Sequence, residues 1–347
     1  MNLICKEDIR NIINDNAELL SLLDGKTILV TGATGLIGYM LGVTIAEYGK
    51  NSINPPKLIA IVRDKTKAER LYADYMSDIV QFVVGNIEDK IVLPDKIDCV
   101  IHGASITSSK DFIEKPVDVI RTAINGTWNM LDIAYKSDCS SFVYLSSMEV
   151  YGTPSTDDKI CESDGTIINT MSVRSSYPEG KRMCENLACS YCSQYGVPVK
   201  IARLTQTIGS TISYHDSRVF AEFARCAIEN KDIVLHTKGE TKRNYLYVTD
   251  AVTAILTILF YGENGKAYNV ANETTYCSIY EMAQMVSEKI AKNKIKVKIE
   301  LEDESKFGYN PIMKMNLDTT RLKKMGWNPK VGLEEMYERL CGGMKNE

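Results

Sequence analysis

The sequence has little of what metal sites, membrane spans and nucleic-acid surfaces require. It contains only three histidines, and these do not group with its cysteines at the spacing of metal ligands. The formal net charge of -4 shows no basic excess of the kind that binds nucleic acid. No apolar run is long enough to span a bilayer. We therefore expect no metal site, no nucleic-acid partner and no membrane partner, although a local cationic pocket for a phosphorylated small molecule stays open.

The ten cysteines do not follow a disulfide or zinc pattern. A single Cys-x-x-Cys occurs, at Cys189 and Cys192, and no second pair completes a metal site. We interpret the thiols as reduced and packed like small hydrophobic side chains, which suits a cytoplasmic protein. The N-terminus carries Glu7, Asp8 and Arg10 where a signal peptide needs apolar residues. The expected location is therefore the cytoplasm.

Strand-like and helix-like segments alternate along most of the chain, which has 347 residues and 44% hydrophobic content. Such alternation predicts an α/β fold with a doubly wound parallel sheet. After about residue 205 the pattern breaks into short elements, which indicates a smaller, mixed lobe. The predicted organisation is an N-terminal helical extension (1–24), a cofactor-binding domain (25–204, with a later return at about 240–272) and a mainly substrate-binding lobe (205–347). Within that return, residues 267–270 read as a strand.

A glycine-rich turn follows the first predicted strand. Residues 31–38 read T-G-A-T-G-L-I-G, and they separate the apolar run at 27–30 from a predicted helix. Glycines at 32, 35 and 38 permit a tight bend and let backbone amides approach a pyrophosphate at the helix N-terminus. Because the motif stands between a strand and a helix, it predicts dinucleotide binding rather than a simple structural turn.

The end of the second predicted strand bears on the choice of cofactor. A carboxylate there accepts the ribose hydroxyls of NAD, whereas an arginine pairs with the 2′-phosphate of NADP. Val62 occupies the place expected for the carboxylate, and Arg63 follows at once, with Lys65 and Lys67 nearby. These residues favour NADP over NAD, while Asp64 keeps NAD open as the alternative.

Tyr177 and Lys181 are spaced so that they share one face of a helix. A tyrosine is a poor acid or base at neutral pH unless a nearby cation stabilises its phenolate, and a lysine one turn later supplies that cation. Taken alone, this spacing is a weak signal. Its order after the glycine-rich turn and after Ser147 makes it an indication of a hydride-transfer site.

At this point the motifs together resemble the extended short-chain dehydrogenase/reductase family, in its nucleotide-sugar epimerase/dehydratase branch. The resemblance covers roughly residues 26–335 and follows a fixed order of motifs. They are residues 31–38, Asn86-Ile87, residues 102–105 (H-G-A-S), 125–127 (N-G-T), 146–152 (S-S-M-E-V-Y-G), 174–182 (R-S-S-Y-P-E-G-K-R), 242–250 (K-R-N-Y-L-Y-V-T-D) and 317–329. The segment 174–182 is also especially similar to UDP-glucuronate decarboxylases.

The resemblance implies a Rossmann fold and a role for each matching residue. Tyr177 would take the proton of a sugar hydroxyl at carbon 4, Lys181 would lower the pKa of the tyrosine, and Ser147 would hydrogen-bond the reacting oxygen. Glu149 would act as a second base on the neighbouring carbon. The cofactor would be held by Gly32, Thr34, Gly35, Leu36, Ile37, Arg63, Asn86, Ile87, Gly103, Ala104, Ser105, Tyr177 and Lys181.

The resemblance leaves the substrate and the outcome of the reaction open. Arg243 matches a family position that pairs with the substrate diphosphate, and Arg218 is a second, weaker candidate for substrate binding. Gln206 departs from the residue usual in the family, and Met148 stands where some dehydratases carry an aspartate acid. The expected function is epimerisation or dehydration of a nucleotide sugar through transient oxidation at carbon 4. Alternatives are NADPH-dependent reduction of a keto-sugar nucleotide, decarboxylation and, least favoured, non-catalytic cofactor sensing. The family also implies a homodimer, formed by helices around residues 110–137 and 177–195.

Overall fold

A parallel sheet forms the centre of the molecule in the computed structural model, which describes residues 3–93, 95–301 and 312–345. The strands in these ranges are Thr27–Thr31 (β1), Lys57–Val62 (β2), Val80–Val84 (β3), Cys99–His102 (β4), Ser141–Ser147 (β5), Val199–Leu204 (β6), Gln206–Ile208 (β7), Ile233–Leu235 (β8), Lys242–Tyr247 (β9), Lys266–Val270 (β10), Asn272–Ser278 (β11), Val297–Ile299 (β12) and Lys314–Met315 (β13). The main sheet has the order β10-β6-β5-β4-β1-β2-β3. Every neighbouring pair in it is parallel.

The strands of this sheet are mostly apolar, as expected where helices cover both faces of a parallel sheet. Successive side chains alternate between the two faces: Ile28 and Val30 belong to one core cluster, and Leu29 belongs to the other. The helices are Leu3–Asp15 (α1), Ala17–Ser21 (α2), Leu36–Gly49 (α3), Lys65–Leu71 (α4), Asp111–Glu114 (α5), Pro116–Lys136 (α6), Ser176–Tyr195 (α7), Val219–Glu229 (α8), Val248–Tyr261 (α9), Ile279–Met285 (α10), Thr320–Lys323 (α11) and Leu333–Lys345 (α12).

The strand order reverses between β1 and β4, which lie side by side in the centre of the sheet. In open α/β sheets the crevice outside the carboxyl ends of the strands at such a reversal is where ligands bind. The predicted doubly wound parallel sheet is confirmed, and the strand predicted at residues 267–270 is present as β10, which pairs with β6. The fold therefore places the predicted site at one edge of the sheet.

Smaller sheets lie beyond the main one. β9 pairs antiparallel with β11 and parallel with β7 and β13. β8 and β12 form a separate parallel pair. The chain therefore enters the smaller lobe at β7, returns to the main sheet with α9 and β10, and leaves it again at β11. The predicted domain boundaries remain predictions, and parts of the segments 1–24 and 205–347 lie outside the described residues.

The N-terminal helix α1 is packed into the body of the chain, against α3, α9 and α12. Its buried residues include Cys5, Ile9 and Ile12. Apolar side chains at these positions form one stripe along the helix, which is the pattern of a helix that covers a core. No helix of the described ranges, α1 included, combines the length and the apolar character needed to cross a membrane.

Candidate active site

The glycine-rich turn passes so close to neighbouring backbone that side chains do not fit. Gly32 has a φ of +75°, and a Cβ there would lie 2.9 Å from the carbonyl carbon of Gly103. A Cβ on Gly38 would lie 2.3 Å from the carbonyl oxygen of Gly32. Gly35 directly precedes α3, whose first N–H groups lack partners within the helix. This cradle of bare backbone at a helix N-terminus fits the pyrophosphate of a dinucleotide.

The loop after β4 is fixed to β1 by a buried polar network. The Thr31 hydroxyl accepts hydrogen bonds from the backbone N–H groups of Gly103 (3.2 Å) and Ala104 (3.0 Å) and lies 2.7 Å from Nδ1 of His102. Nε2 of His102 lies 3.2 Å from the Thr127 hydroxyl. Burial lowers the pKa of His102 to about 3, so the ring is neutral. His102 therefore positions the loop that carries Gly103 and Ala104.

The charged residues after β2 differ in their contacts. Asp64 caps α4, because its Oδ1 accepts a hydrogen bond from the Lys67 N–H at 2.9 Å. Lys65 lies 3.6 Å from Glu69 as an exposed ion pair. The Arg63 side chain is exposed at the carboxyl end of the strand. Asp64, the residue for which the sequence kept NAD as an alternative cofactor, thus has a structural role as a helix cap.

The remaining predicted cofactor residues line the same edge. Asn86 is exposed and its Oδ1 accepts from the Glu88 N–H at 3.3 Å, whereas Ile87 is buried and its carbonyl accepts from Asn129 at 2.8 Å. Ser105 is half-buried, with its hydroxyl 3.4 Å from the Ile106 carbonyl oxygen. Thr34, Leu36 and Ile37 of the glycine-rich turn are half-buried. Their contacts with a cofactor stay predictions.

The structure brings Ser147, Tyr177 and Lys181 together, as their order in the sequence suggests. Ser147 ends β5, and its hydroxyl accepts from the Glu149 N–H at 3.2 Å, capping a short 3₁₀ turn, Met148–Tyr151. Tyr177 lies on the first turn of α7, and the Ser147 side chain lowers the pKa of its phenol. Nζ of Lys181 is 5.8 Å from the centre of the Tyr177 ring and donates to the Leu145 carbonyl at 2.8 Å. The three groups therefore meet where β5 ends.

The pKa values of these groups are shifted mainly by burial. Burial raises the pKa of Tyr177, and the charge of Glu149 raises it further, while the Ser147 hydrogen bond and Arg174 lower it. The shift of the Tyr177 pKa is thus opposite to the one expected from Lys181, because burial outweighs the favourable groups. Burial also lowers the pKa of Lys181 to about 8. Shifted pairs of this kind are typical of sites that move protons.

Glu149, the predicted second base, is bound to an arginine that had no assigned role in the sequence. Arg174 Nη1 lies 3.0 Å from Oε2 of Glu149, and Nη2 donates to Oε1 at 3.2 Å. The Arg174 guanidinium also lies 4.7 Å from the centre of the Phe112 ring, which stacks on Tyr177 at 4.4 Å. In the sequence, Arg174 could have been noticed because it stands three residues before Tyr177 in a motif shared with the family. Nothing in the sequence pointed to Phe112.

The predicted substrate residues lie on two separate elements. Arg243 on β9 is half-buried, and its Nη1 donates to Oε1 of Gln206 on β7 at a long 3.4 Å. Nε of Arg243 is buried without a hydrogen-bond partner among the described residues. A buried guanidinium with an unused donor is suited to an anionic ligand. The contact of Arg243 and Gln206 with a substrate nevertheless stays a prediction.

Two other predicted substrate residues are already engaged within the chain. Arg218 is paired with Asp216, to which its Nη2 donates at 2.7 Å, and it covers the Phe220 ring. Met148 is 5% exposed, and its sulfur accepts from the Thr205 hydroxyl at 3.3 Å. Met148 therefore packs at the base of the site. Among the described residues there is no cluster of three or more metal-binding side chains.

The chain belongs to the NAD dependent epimerase/dehydratase family, whose sequence model matches residues 28–271. This confirms the resemblance found in the sequence. The chain is 28% identical to UDP-glucuronic acid decarboxylase 4 of Arabidopsis thaliana over 310 residues, which cover 89% of this chain but 66% of that protein. It thus spans just under two thirds of that relative.

Solved structures show the same fold. UDP-glucose 4-epimerase of Thermotoga maritima, determined with UDP-glucose, superposes with a TM-score of 0.76 at 21% identity, covering 92% of this chain and 98% of the other. The dTDP-glucose 4,6-dehydratase of Streptomyces venezuelae, determined with NAD, superposes with a TM-score of 0.76 at 19% identity, covering 92% of this chain and 97% of the other. At these identities the likeness establishes the architecture and leaves the substrate open.

Proposed function

We propose that this chain converts a nucleotide sugar through transient oxidation at carbon 4 of the sugar. The observation that carries the proposal is the meeting of Ser147, Tyr177 and Lys181 at the carboxyl end of β5, beside the glycine cradle. A nicotinamide cofactor held by that cradle would supply the acceptor for the hydride of carbon 4 and the donor that returns it. The family and the similar proteins indicate this class of reaction.

The chain's own residues would handle the protons. Tyr177 would take the proton of the carbon 4 hydroxyl as that carbon becomes a ketone, and the buried ammonium of Lys181 would stabilise the phenolate. Ser147 would hydrogen-bond the oxygen during this change. The ketone acidifies the neighbouring C–H bond, so Glu149 would remove the carbon 5 proton. Arg243 would hold the diphosphate of the substrate.

Decarboxylation of a nucleotide-linked uronic acid is the second candidate. In that reaction the ketone at carbon 4 lets the bond between carbons 5 and 6 break, carbon dioxide leaves, and carbon 5 receives a proton. The similarity to a UDP-glucuronic acid decarboxylase favours it. So does the buried thioether of Met148, which cannot donate the proton that an eliminated hydroxyl needs. Epimerisation needs no such acid and stays open.

Product masses would separate these outcomes. Purified protein would be incubated with UDP-glucose, dTDP-glucose and UDP-glucuronic acid, each with NAD or NADP. Loss of water indicates dehydration, loss of carbon dioxide indicates decarboxylation, and an unchanged mass with a changed sugar configuration indicates epimerisation. Net conversion of added NADPH into NADP in step with product would instead support a reductase and contradict the proposed internal redox cycle.

We also propose NADP as the preferred cofactor, because Arg63 is an exposed cation directly after β2 and Asp64 is engaged as a helix cap. For Arg63→Ala we expect NADPH to bind about tenfold more weakly, a loss of about 1.4 kcal/mol, with NADH binding unchanged. Fluorescence titration of both cofactors measures this. Arg70→Ala, an exposed arginine on the following helix, is the control and should alter neither affinity. Equal weakening for both cofactors would contradict the preference.

The partner that we propose besides the substrate is a second copy of the chain. The long helices α6 and α7 pack against each other and expose large apolar side chains on their outer surfaces. These are Val117, Ile120, Trp128, Tyr135, Met183 and Tyr195. Contiguous exposed apolar surface of this kind is typical of protein interfaces, and pairing of the same surface on two copies gives a closed dimer.

A further inference from the structure

Two 3₁₀ turns meet at the edge of the sheet through one ion pair. Glu149 lies in the turn after β5, and Arg174 lies in the turn Val173–Ser175 directly before α7. Both carboxylate oxygens of Glu149 are engaged, at 3.0 and 3.2 Å. The two side chains are 20% and 24% exposed, so the pair is largely shielded from water. A planar guanidinium bound in this way sets the plane of the carboxylate as well as its distance.

Arg174 is itself held on its other side. Its guanidinium covers the Phe112 ring at 4.7 Å, and that ring stacks on Tyr177 at 4.4 Å with an angle of 14° between the planes. The Ser176 hydroxyl donates to the Phe112 carbonyl at 3.1 Å and fixes α5 against the start of α7. Guanidinium, phenyl and phenol thus form a stack that links Glu149 to the redox tyrosine.

We propose that Arg174 is a positioning residue that holds Glu149 at a fixed place relative to Tyr177, so that the step after carbon 4 oxidation depends on it. This inference rests on the proposed function. A free glutamate samples several rotamers, and restricting it costs conformational entropy that the ion pair and the stack offset. A misplacement of about 1 Å in a reacting group can slow a step about a hundredfold. Arg174 acts on the reaction through Glu149 and not by contact with the reacting atoms.

The test separates the two steps of turnover. Wild type, Arg174→Gln and Arg174→Lys would be mixed in deuterated water with UDP-glucose, dTDP-glucose and UDP-glucuronic acid. Formation of reduced cofactor in a single turnover reports oxidation at carbon 4, and deuterium at carbon 5 of the recovered sugar reports the second step. We expect Arg174→Lys, which keeps the positive charge near Tyr177, to keep the first rate within about threefold and to lose about a hundredfold in the second, with KM unchanged. Arg174→Gln also removes the charge that lowers the pKa of Tyr177, so it should slow the first step, but less than the second. Lysine keeps the positive charge but lacks the planar set of N–H donors that binds both carboxylate oxygens, so Arg174→Lys should not restore the second step.

Arg121→Gln is the matched control, because Arg121 forms an exposed arginine–carboxylate pair with Asp118 on α6. It should change neither step. Carbon 5 exchange at the wild-type rate in Arg174→Gln would overturn the inference. Equal loss of both steps in Arg174→Lys would also overturn it, because Arg174 would then belong to the carbon 4 chemistry or to the general fold.

A crystallographic comparison tests the same inference without a substrate. In Arg174→Gln we expect the Glu149 carboxylate to leave its wild-type position while the backbone of 147–151 stays in place. A carboxylate that keeps its position would overturn the inference. If no nucleotide sugar reduces the cofactor even with wild type, the proposed function fails, and the crystal structures still decide whether Arg174 positions Glu149.

Discussion

At the scale of single residues, the site depends on groups whose ordinary chemistry is changed by burial. Lys181 is 4% exposed, and its ammonium group donates to a backbone carbonyl beneath the tyrosine. Burial and the charge of Glu149 raise the pKa of Tyr177, so the phenolate depends on the groups that oppose this shift, the Ser147 hydroxyl and Arg174.

The first prediction at this scale concerns Tyr177. For Tyr177→Phe we expect turnover to fall at least about a hundredfold, because the only atom lost is the one that accepts the proton. Cofactor affinity, measured by fluorescence titration, should stay nearly unchanged. Tyr195→Phe, at the exposed end of the same helix, is the control. Turnover above about a tenth of the wild-type rate would remove Tyr177 from its assigned role.

The lowered pKa of Lys181 predicts a specific pH dependence of stability. The folded chain releases this proton near a pKa of about 8, whereas the unfolded chain retains it up to its ordinary pKa of 10.5. The unfolded state binds more protons in that window, so the free energy of unfolding rises with pH there. Relative to Lys181→Met, wild type should gain up to about 3 kcal/mol between pH of about 8 and 10.5.

Urea unfolding of both proteins across this pH window measures the difference between them. The exposed Lys136 provides the control, since Lys136→Met should leave a difference from wild type that does not vary with pH. A difference between wild type and Lys181→Met that is flat from neutral to alkaline pH would mean that the ammonium stays charged in the folded chain.

At the scale of secondary-structure elements, helix α1 adds a buried carboxylate to the apolar stripe by which it packs on the rest of the chain. Asp8 is 1% exposed. It accepts hydrogen bonds from the Ser210 hydroxyl (2.7 Å), the Tyr247 hydroxyl (2.8 Å) and Nη1 of Arg339 (2.8 Å). One side chain thus ties the first helix to the smaller sheet and to the last helix α12. The sequence showed a helical extension here but contained no signal for this anchor.

Replacing Asp8 by Asn should destabilise the fold by about 1–3 kcal/mol, because Arg339 loses the buried one of its three carboxylate partners, Glu7, Asp8 and Glu335, and an amide N–H₂ faces other donors. The free energy of unfolding, from chemical denaturation at neutral pH, measures this. Glu7→Gln is the matched control, since Glu7 also contacts Arg339 but is 57% exposed. A similar, small effect of both substitutions would show that the buried network contributes little.

At the scale of the whole molecule, the fold brings together residues that are far apart in the chain. β1 and β4 are adjacent because the crossover connections of a parallel sheet place later strands on either side of the first. The glycine cradle after β1, the loop after β4 and Ser147 at the end of β5 consequently share one edge. The long helices α6 and α7 lie together on one face of that sheet.

The proposed dimer provides the prediction at this scale. Trp128 is 51% exposed on α6, so a charge there should prevent pairing with little effect on the fold. For Trp128→Asp we expect sedimentation as a monomer with an unchanged thermal unfolding profile, and for wild type we expect sedimentation as a dimer. Tyr261→Asp, at an exposed tyrosine on α9, should remain dimeric. Wild type that sediments as a monomer would contradict the proposed partner.

Local patterns explain why much of the fold and the site could be predicted from sequence. The apolar strand before the glycines, and the spacing of Tyr177 and Lys181, follow from short-range geometry that any helix or strand obeys. Arg174, in contrast, pairs with a glutamate from another turn, and Phe112 reaches Tyr177 from the short helix α5. Such contacts depend on how loops pack, which local periodicity does not encode.

The sequence by itself determined the class of fold and the family, and it predicted which residues transfer protons, because these follow from residue type and from spacing within single elements. Only the tertiary structure decided that Met148 is buried, that Asp64 caps a helix and that Glu149 is held by Arg174. Each of these features depends on which residues meet in the folded chain. Packing of the elements determines which residues meet, because a buried polar group needs a hydrogen-bond partner.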